Sequence, residues 1–196
     1  MMSSHSRQSG FSLLELLVAL VVFSIGLLAV AGLQTVSKQA NFEGLQRTTA
    51  AQIATGLLED MRMNGEGINV YRTAAAIGGG SRGGEPVPNC RIGAECNAAQ
   101  KAAFDLWFWE QALDGNLETS GGAGTGGLMF PTLCIDGPAV GGPGIYRVTI
   151  AWRGTASITN SVNNPCGAAN GNYGASNQFR RMVQVPTYID PNFGAK

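Results

Sequence analysis

The first strong pattern along the chain is an apolar stretch that runs from Phe11 to Leu33. As a helix it would be about 34 Å long at ~1.5 Å per residue, which matches a hydrocarbon core of about 30 Å. Its only strongly polar member is Glu15, and no other charged residue lies between Arg7 and Lys38. A charged side chain inside hydrocarbon costs roughly 2.5–3.5 kcal/mol. The pattern therefore predicts a membrane-spanning helix in which one acidic residue needs an explanation.

The pattern becomes amphipathic in residues 41–64. Spacings of three and four residues place six side chains on one helical face: Phe42, Leu45, Thr49, Ile53, Leu57 and Met61. We therefore predict one helix over about 11–63, with an apolar first half and a second half that needs a packed domain on one side. Asn64-Gly65 is expected to end it. Glu43 and Arg47 are spaced for an ion pair on its polar side.

The remainder of the chain predicts one further helix and three strands. Residues 65–96 are loop-like, and Asn97 with Gln100 forms a candidate capping box for a helix over about 98–113. We interpret the aromatic side chains of that helix as core packing. Alternating or β-rich runs predict strands at 128–135, 145–152 and 180–189, the first and third with prolines that favour an edge, a break or a bulge. Such strands after runs of helix favour an α+β fold, with the long helix packed on an antiparallel sheet.

Composition limits the function without naming it. The chain has 196 residues with 13 basic and 13 acidic side chains, so its charge gives no reason to expect nucleic acid as a partner. Only 13% of the residues are charged, against about 25% in average domains. The 28 glycines indicate long turns and loops. We expect one ordinary domain plus an anchor.

Four cysteines, at positions 90, 96, 134 and 166, all follow the apolar stretch. An even number in this position favours disulfides in an oxidising compartment. Three pairings are open, and we favour the most local one, Cys90–Cys96 with Cys134–Cys166; buried free thiols are the alternative. The only histidine is His5 and there is no C-x-x-C pair, so we expect no zinc.

No arrangement of residues predicts catalysis, a cofactor or a metal. A G-x-G-x-x-G pattern runs from Gly122 to Gly127, but no predicted helix follows that could hold a pyrophosphate. His5 lies in the N-terminal tail, which leaves the common Ser-His-Asp and Cys-His arrangements without their base. Arg180 and Arg181 are interpreted as a solvated strand edge. We expect a structural protein rather than an enzyme, with no small-molecule substrate.

Three interpretations of the N-terminal segment are open. Ala29–Ala31 before Gly32 offers an A-x-A cleavage site, which would release a secreted or periplasmic binding protein. The second interpretation is a plain signal anchor. Arg7 ahead of the apolar run keeps the N-terminus cytoplasmic and places the chain after Gln34 outside. The third interpretation is more specific and accounts for Glu15.

The string G-F-S-L-L-E at residues 10–15 resembles the class III signal of type IV prepilins. In that family a prepilin peptidase cuts after the glycine and methylates the new N-terminal residue. The resemblance places the cut between Gly10 and Phe11, with Phe11 as the methylated terminus. It also implies that Glu15 pairs with the N-terminal amine of a neighbouring subunit in the filament. The buried charge is then tolerable because assembly supplies a partner.

Later segments resemble one group of minor pilins, the type IV pilus modification proteins of the PilV family. The resemblance rests on the anchor, the cysteine pair before AAFDLWFWEQAL, the strand GIYRVTIAWRG, the loop cysteine and the closing FRRMVQVPTYI. It implies a minor pilin that joins other minor pilins and the major pilin through its N-terminal helix and helps to initiate pilus assembly, with the pilus tip as a candidate position. The anchor fits minor pseudopilins of type II secretion equally well, and these are the alternative.

The resemblance also implies a domain organisation and a location. We expect a leader peptide at 1–10, a transmembrane and assembly half-helix at 11–40, an amphipathic half-helix at 41–64 and a periplasmic pilin domain with disulfides at 65–196. The precursor would cross the bacterial inner membrane once, contact its lipid and meet the prepilin peptidase there. The mature chain would then enter a pilus on the cell surface, of the kind that supports twitching motility.

Overall fold

The structure is a computed structural model that describes residues 10–93, 95–159 and 163–192. The chain divides into two units, residues 1–42 and 43–196. The longest element is helix α1, Leu13–Met63. The prediction of one long helix is confirmed.

In the first unit, helix α1 carries large apolar side chains that are exposed on all sides. Leu14 is 72% exposed, Phe23 64% and Leu28 73%. By length and composition this helix can cross a membrane. A helix that is apolar all round needs lipid or other helices around it, because exposing so many apolar side chains to water is unfavourable.

In the second unit, the buried face of α1 begins differently from the predicted one. Three of the predicted side chains are buried: Ile53, Leu57 and Met61. Leu45, however, is 64% exposed, and the buried face starts at Gln46. The Gln46 side chain donates to the carbonyl of Gly127 at 3.2 Å and accepts from the backbone N–H of Met129 at 3.2 Å. A buried amide that satisfies two backbone groups replaces the apolar contact expected there.

Helix α3, Ala98–Asp114, begins as its capping sequence predicts. The Asn97 side chain accepts from the backbone N–H of Gln100 at 2.9 Å, and the Gln100 side chain accepts from the N–H of Asn97 at 3.0 Å. Gly115 ends the helix with a φ of +79°, the left-handed conformation that favours glycine at this position.

A close approach between α1 and α3 explains one of the helical glycines. A Cβ added to Gly56 would lie 2.3 Å from a ring carbon of Trp109. The indole N–H of Trp109 donates to Asp60 on α1 at 2.8 Å. Gly56 therefore makes room for the indole ring, whereas an added Cβ at Gly26 or Gly32 would meet no atom within 4 Å.

Three strands, β3 (Thr132–Asp136), β4 (Gly144–Arg153) and β5 (Arg180–Ile189), form an antiparallel sheet in that order. Pro186 lies in the edge strand β5, opposite Arg147, and edge strands are where a residue without an N–H is tolerated. The predicted α+β fold with an antiparallel sheet is confirmed.

The hydrophobic core of the second unit collects side chains from α1, the two later helices and the sheet. The largest fully buried members include Leu57, Leu58, Leu106, Tyr146 and Trp152. The amphipathic half of the long helix thus finds the packed domain that its pattern requires.

Two predicted segments differ in the structure. The strand expected at 128–135 begins only at Thr132, because Phe130 has a φ of +48°, which ends an extended chain. The segment expected to be loop-like, 65–96, contains a 3₁₀ helix at Gly65–Gly67 and helix α2 at Ile68–Arg72.

A small hairpin occupies the glycine-rich segment that matched the nucleotide-binding pattern. Strands β1, Thr119–Ser120, and β2, Ala123–Gly124, pair in an antiparallel manner. Gly121 and Gly122 have φ values of +61° and +85°, as a tight two-residue hairpin turn requires. These glycines serve the turn.

Glu43 joins helix α1 to the chain after β4. One carboxylate oxygen accepts from the backbone N–H of Thr155 at 2.6 Å and from its hydroxyl at 2.9 Å. The other lies 3.3 Å from Nε of Arg181. The structure thus gives Glu43 a distant partner in place of Arg47, and the side chain of Arg181 is only 16% exposed.

Arg180 also differs from its prediction as part of a solvated edge. It is 6% exposed. Its guanidinium donates to the backbone carbonyls of Asn164 and Cys166 at 2.9 and 3.1 Å. A buried arginine at the start of β5 therefore ties down the loop that precedes the strand.

Replacing Glu43 with glutamine is expected to lower the free energy of unfolding at neutral pH by about 1–2 kcal/mol, because hydrogen bonds to a charged group are stronger than neutral ones. Partial burial raises the pKa of Glu43, but the Thr155 hydrogen bonds and the Arg181 charge lower it by more, so the folded-state pKa lies below its ordinary value. The charge therefore stabilises the fold fully above the unfolded-state pKa, and this is lost as pH falls through the folded-state pKa.

The difference between the native chain and Glu43→Gln should accordingly close as the pH falls from neutral to below the folded-state pKa of Glu43. Urea unfolding of the full chain in detergent micelles, followed by tryptophan fluorescence at both pH values, measures it. Glu59→Gln is the matched control, because Glu59 lies on the same helix and its side chain is 53% exposed. A difference that persists at acid pH would show that the charge of Glu43 is not responsible.

Candidate functional site

The residues at the predicted cleavage position are accessible. Gly10 and Phe11 precede helix α1, Phe11 is 85% exposed, and an added Cβ on Gly10 would meet no atom within 4 Å. Arg7 and His5 of the predicted leader lie outside the described residues. The backbone between Gly10 and Phe11 is open to an enzyme.

Glu15 lies in the first turn of α1 and takes part in starting the helix. Its backbone N–H donates to the hydroxyl of Ser12 at 3.2 Å, which is the bond of an N-cap. Ser12 and Glu15 also have the spacing of a capping box. A carboxylate here faces the partial positive charge of the helix N-terminus. Sequence reasoning missed this local role of the S-L-L-E string.

The other polar side chains of the apolar stretch are satisfied within the helix. Ser24 donates to the carbonyl of Leu20 at 2.7 Å, and Thr35 donates to that of Gly32 at 2.7 Å. Such bonds let hydroxyl groups remain in an apolar medium. In the part of the chain that the structure describes, the carboxylate of Glu15 has no hydrogen-bond or ion-pair partner. Glu15 is therefore the residue for which burial requires a cation from outside this helix.

Two disulfides stabilise the second unit. Cys90 bonds to Cys96, and Cys134 bonds to Cys166, with Cα–Cα distances of 5.7 and 5.9 Å. This is the most local of the three pairings. The second disulfide joins β3 to the glycine-rich loop before β5, and a bond of this kind contributes about 2–4 kcal/mol.

Acidic side chains of α3 bind the glycine-rich segment 78–82, an arrangement that the sequence did not reveal. Glu110 is fully buried. One of its oxygens accepts from the N–H of Gly78 at 3.1 Å and the hydroxyl of Ser81 at 2.6 Å, and the other accepts from the N–H of Arg82 at 2.8 Å. Because the carboxylate is occupied by structural donors, it is unsuited to acid–base chemistry.

A second buried network has the same structural character. The hydroxyl of Tyr71 donates to Asp105 at 2.5 Å, and Lys101 donates to the same carboxylate at 3.0 and 3.2 Å. Burial and the hydrogen bond to Asp105 raise the pKa of Tyr71 far above its ordinary value. The phenol therefore stays protonated and acts as a permanent donor.

Comparisons with known proteins agree with the geometry of the N-terminus. Residues 5–31 match the family model of the prokaryotic N-terminal methylation motif, and residues 32–107 match that of the type IV pilin Tt1218. No curated protein and no solved structure matches the chain. The first match covers the predicted cleavage position and Glu15, and the second continues from the apolar helix through most of α3. Together they cover residues 5–107, and this part of the chain is similar to type IV pilins that carry the prepilin methylation motif.

Proposed function

We propose that this chain is a type IV pilin and, more specifically, a minor pilin of the PilV family, which takes part in initiating type IV pilus assembly and occupies a position at the pilus tip. The prepilin peptidase cuts between Gly10 and Phe11 and methylates Phe11. The mature helix then packs with those of other minor pilins and of the major pilin. Support comes from the exposed junction, the methylation motif and the resemblance of the later segments to that family.

The observation that carries the proposal is the unpartnered carboxylate of Glu15 in an otherwise apolar helix surface. Cleavage creates a positive amine at Phe11, four residues away in sequence. The amine of one subunit and the carboxylate of the next form a pair in the same layer of the helix bundle. Neither charge is then left alone in an apolar environment, which would cost several kcal/mol.

The proposal includes the organisation of the precursor. Residues 1–10 form the leader, 11–40 the transmembrane and assembly half of α1, 41–64 the amphipathic half and 65–196 the periplasmic domain. The precursor crosses the inner membrane once. The two disulfides support the periplasmic assignment, because disulfides persist in oxidising compartments.

The mature N-terminus is expected to be N-methylated Phe11. Intact-mass and peptide mass spectrometry of the membrane fraction measure it, with a strain lacking prepilin peptidase as the control, where the chain should keep residues 1–10. A soluble protein beginning at Gly32 would contradict the proposal and select a released binding protein. An unmethylated chain beginning at Met1 in the native strain would also contradict it.

A deletion strain separates the proposal from a pseudopilin of type II secretion, which has the same anchor and processing. Loss of surface pili and of twitching, with secretion of exoenzymes intact, is the expected result. Loss of exoenzyme secretion with normal pili would assign the chain to type II secretion.

A further inference from the structure

The second unit contains a small cleft whose lining residues have no part in the proposed assembly role. Three segments line it: residues 76–79 after helix α2, residues 130–132 at the start of β3, and Asn170 with Asn172 in the loop before β5. Its volume is about 200 Å³. Since pockets for drug-sized molecules occupy about 300–1,000 Å³, this cleft has room for a single ring.

Phe130 forms one side of the cleft in a costly conformation. Its φ is +48°, a region that non-glycine residues avoid, and Pro131 follows it, which restricts the backbone further. The backbone carbonyl of Phe130 accepts a hydrogen bond from the buried Tyr173 at 2.9 Å. Phe130 as a whole residue is 55% exposed. Strain of this kind is characteristic of functional sites, and here it holds an aromatic ring in solvent at the cleft.

The polar groups of the cleft are fixed in place but incompletely used. Asn170 donates to the hydroxyl of Thr132 at 2.9 Å, and the backbone carbonyl of Asn172 accepts from Arg153 at 2.5 Å. Within the described ranges, the carbonyl oxygen of the Asn170 side chain and the whole side-chain amide of Asn172 have no hydrogen-bond partner. An amide offers two donors and an acceptor, so the cleft presents both kinds of group beside an aromatic side chain.

The chemistry of the lining selects the class of ligand. None of the described residues that line the cleft carries a charge. The carboxylates of Glu110 and Asp114 bind the backbone N–H groups of Gly78 and Gly79 on one side, and the guanidinium of Arg153 binds the backbone carbonyl of Asn172 on the other. Charges of both signs therefore lie behind the walls, and the lining itself favours neither an anion nor a cation. A ring with an apolar face and several hydroxyls fits the aromatic surface and the amides together. We propose that this cleft binds one neutral monosaccharide unit, which it does not transform.

The test is saturation-transfer NMR with the full chain in micelles of a detergent that has no sugar headgroup. The probes are the methyl glycosides of glucose, galactose and N-acetylglucosamine, with glucuronic acid and glucose 6-phosphate as charged counterparts. We expect transfer to the ring protons of at least one neutral glycoside. Phe130→Ala should weaken its affinity roughly two- to tenfold, the effect of removing one aromatic contact, and Asn172→Ala should also weaken it.

Matched variants separate binding from folding. Tyr188→Ala removes another exposed aromatic, on β5, which does not line the cleft, and should leave the affinity unchanged. Phe130→Gly removes the ring while glycine accepts the positive φ without strain, so it should fold with an undiminished thermal midpoint and still lose binding. The proposal is overturned if no neutral glycoside shows transfer, if Phe130→Ala and Phe130→Gly bind as the native chain does, or if the charged sugars bind more tightly.

Discussion

Glu15→Gln is expected to abolish entry of the chain into the filament while leaving the cut between Gly10 and Phe11 intact. Glutamine keeps the size of the side chain and removes its charge. The methylated amine of a neighbouring subunit would then lie unpaired in an apolar bundle, and breaking a buried ion pair in this way costs about 3–5 kcal/mol. A penalty of that size lowers incorporation more than a hundredfold. Immunoblots of sheared surface fibres against the membrane fraction measure the ratio.

A control variant separates the charge from the helix cap. Ser12→Ala removes the hydroxyl that accepts from the N–H of Glu15 and keeps the carboxylate. Loss of a cap destabilises a helix by about 1 kcal/mol, so this variant should still enter fibres. If Ser12→Ala and Glu15→Gln fail equally, the role of Glu15 lies in starting the helix. If Glu15→Gln enters fibres as the native chain does, the proposed pairing is wrong.

Elements whose signals are local could be predicted from the sequence. Helix α3 depends on a capping box formed by residues three apart, and its bounds follow from it. Strand β4 alternates apolar and polar side chains. Strand β5 is a run of residues with high β-propensity that follows a polar loop. The long apolar run of α1 needs no distant partner to be recognised as helix. In each case the physical cause acts within a few residues.

Contacts between distant segments could not be predicted in this way. Glu43 has Arg47 at the right helical spacing, yet it binds Arg181, and only the folded sheet brings that guanidinium close. The sequence pattern gives no reason to bury Gln46. In the folded chain, however, the carbonyl of Gly127 and the N–H of Met129 both hydrogen-bond to its side-chain amide. Strand β3 was predicted to begin four residues too early, because no sequence pattern indicates that Phe130 has a positive φ.

The candidate functional residues differ in the same way: some belong to a local sequence motif, and others are brought together only by the fold. The predicted cleavage junction and Glu15 belong to one linear motif, so both could be proposed from the sequence alone, and the cut itself stays a prediction. The cleft at Phe130 is assembled from three segments separated by about 40–50 residues each, and its walls depend on contacts such as that of Glu110 with the 78–82 segment. Residues that act through such contacts become visible only in the folded chain.

The second large effect is expected on the stability of the fold when Glu110 is replaced. Glu110→Ala is expected to lower the free energy of unfolding by roughly 3–5 kcal/mol, because it removes the buried acceptor of three part-buried hydrogen bonds, those from Gly78, Ser81 and Arg82. Glu110→Gln retains one oxygen and turns an N–H group toward a donor, so about half of that loss is expected. Asp114→Asn is the matched control, since Asp114 binds the exposed N–H groups of neighbouring glycines and should change stability by less than about 1 kcal/mol.

Urea unfolding of the full chain in micelles, followed by tryptophan fluorescence, measures these differences, and hydrogen exchange of the peptide containing residues 76–83 locates them. In Glu110→Gln the amide of Arg82 should exchange faster while the core strands keep their protection, because the lost bond opens the segment before it opens the sheet. Unchanged stability in both Glu110 variants would mean that water replaces the carboxylate at no cost. Faster exchange throughout β4 as well would show that Glu110 supports the whole sheet and not only the wall of the cleft.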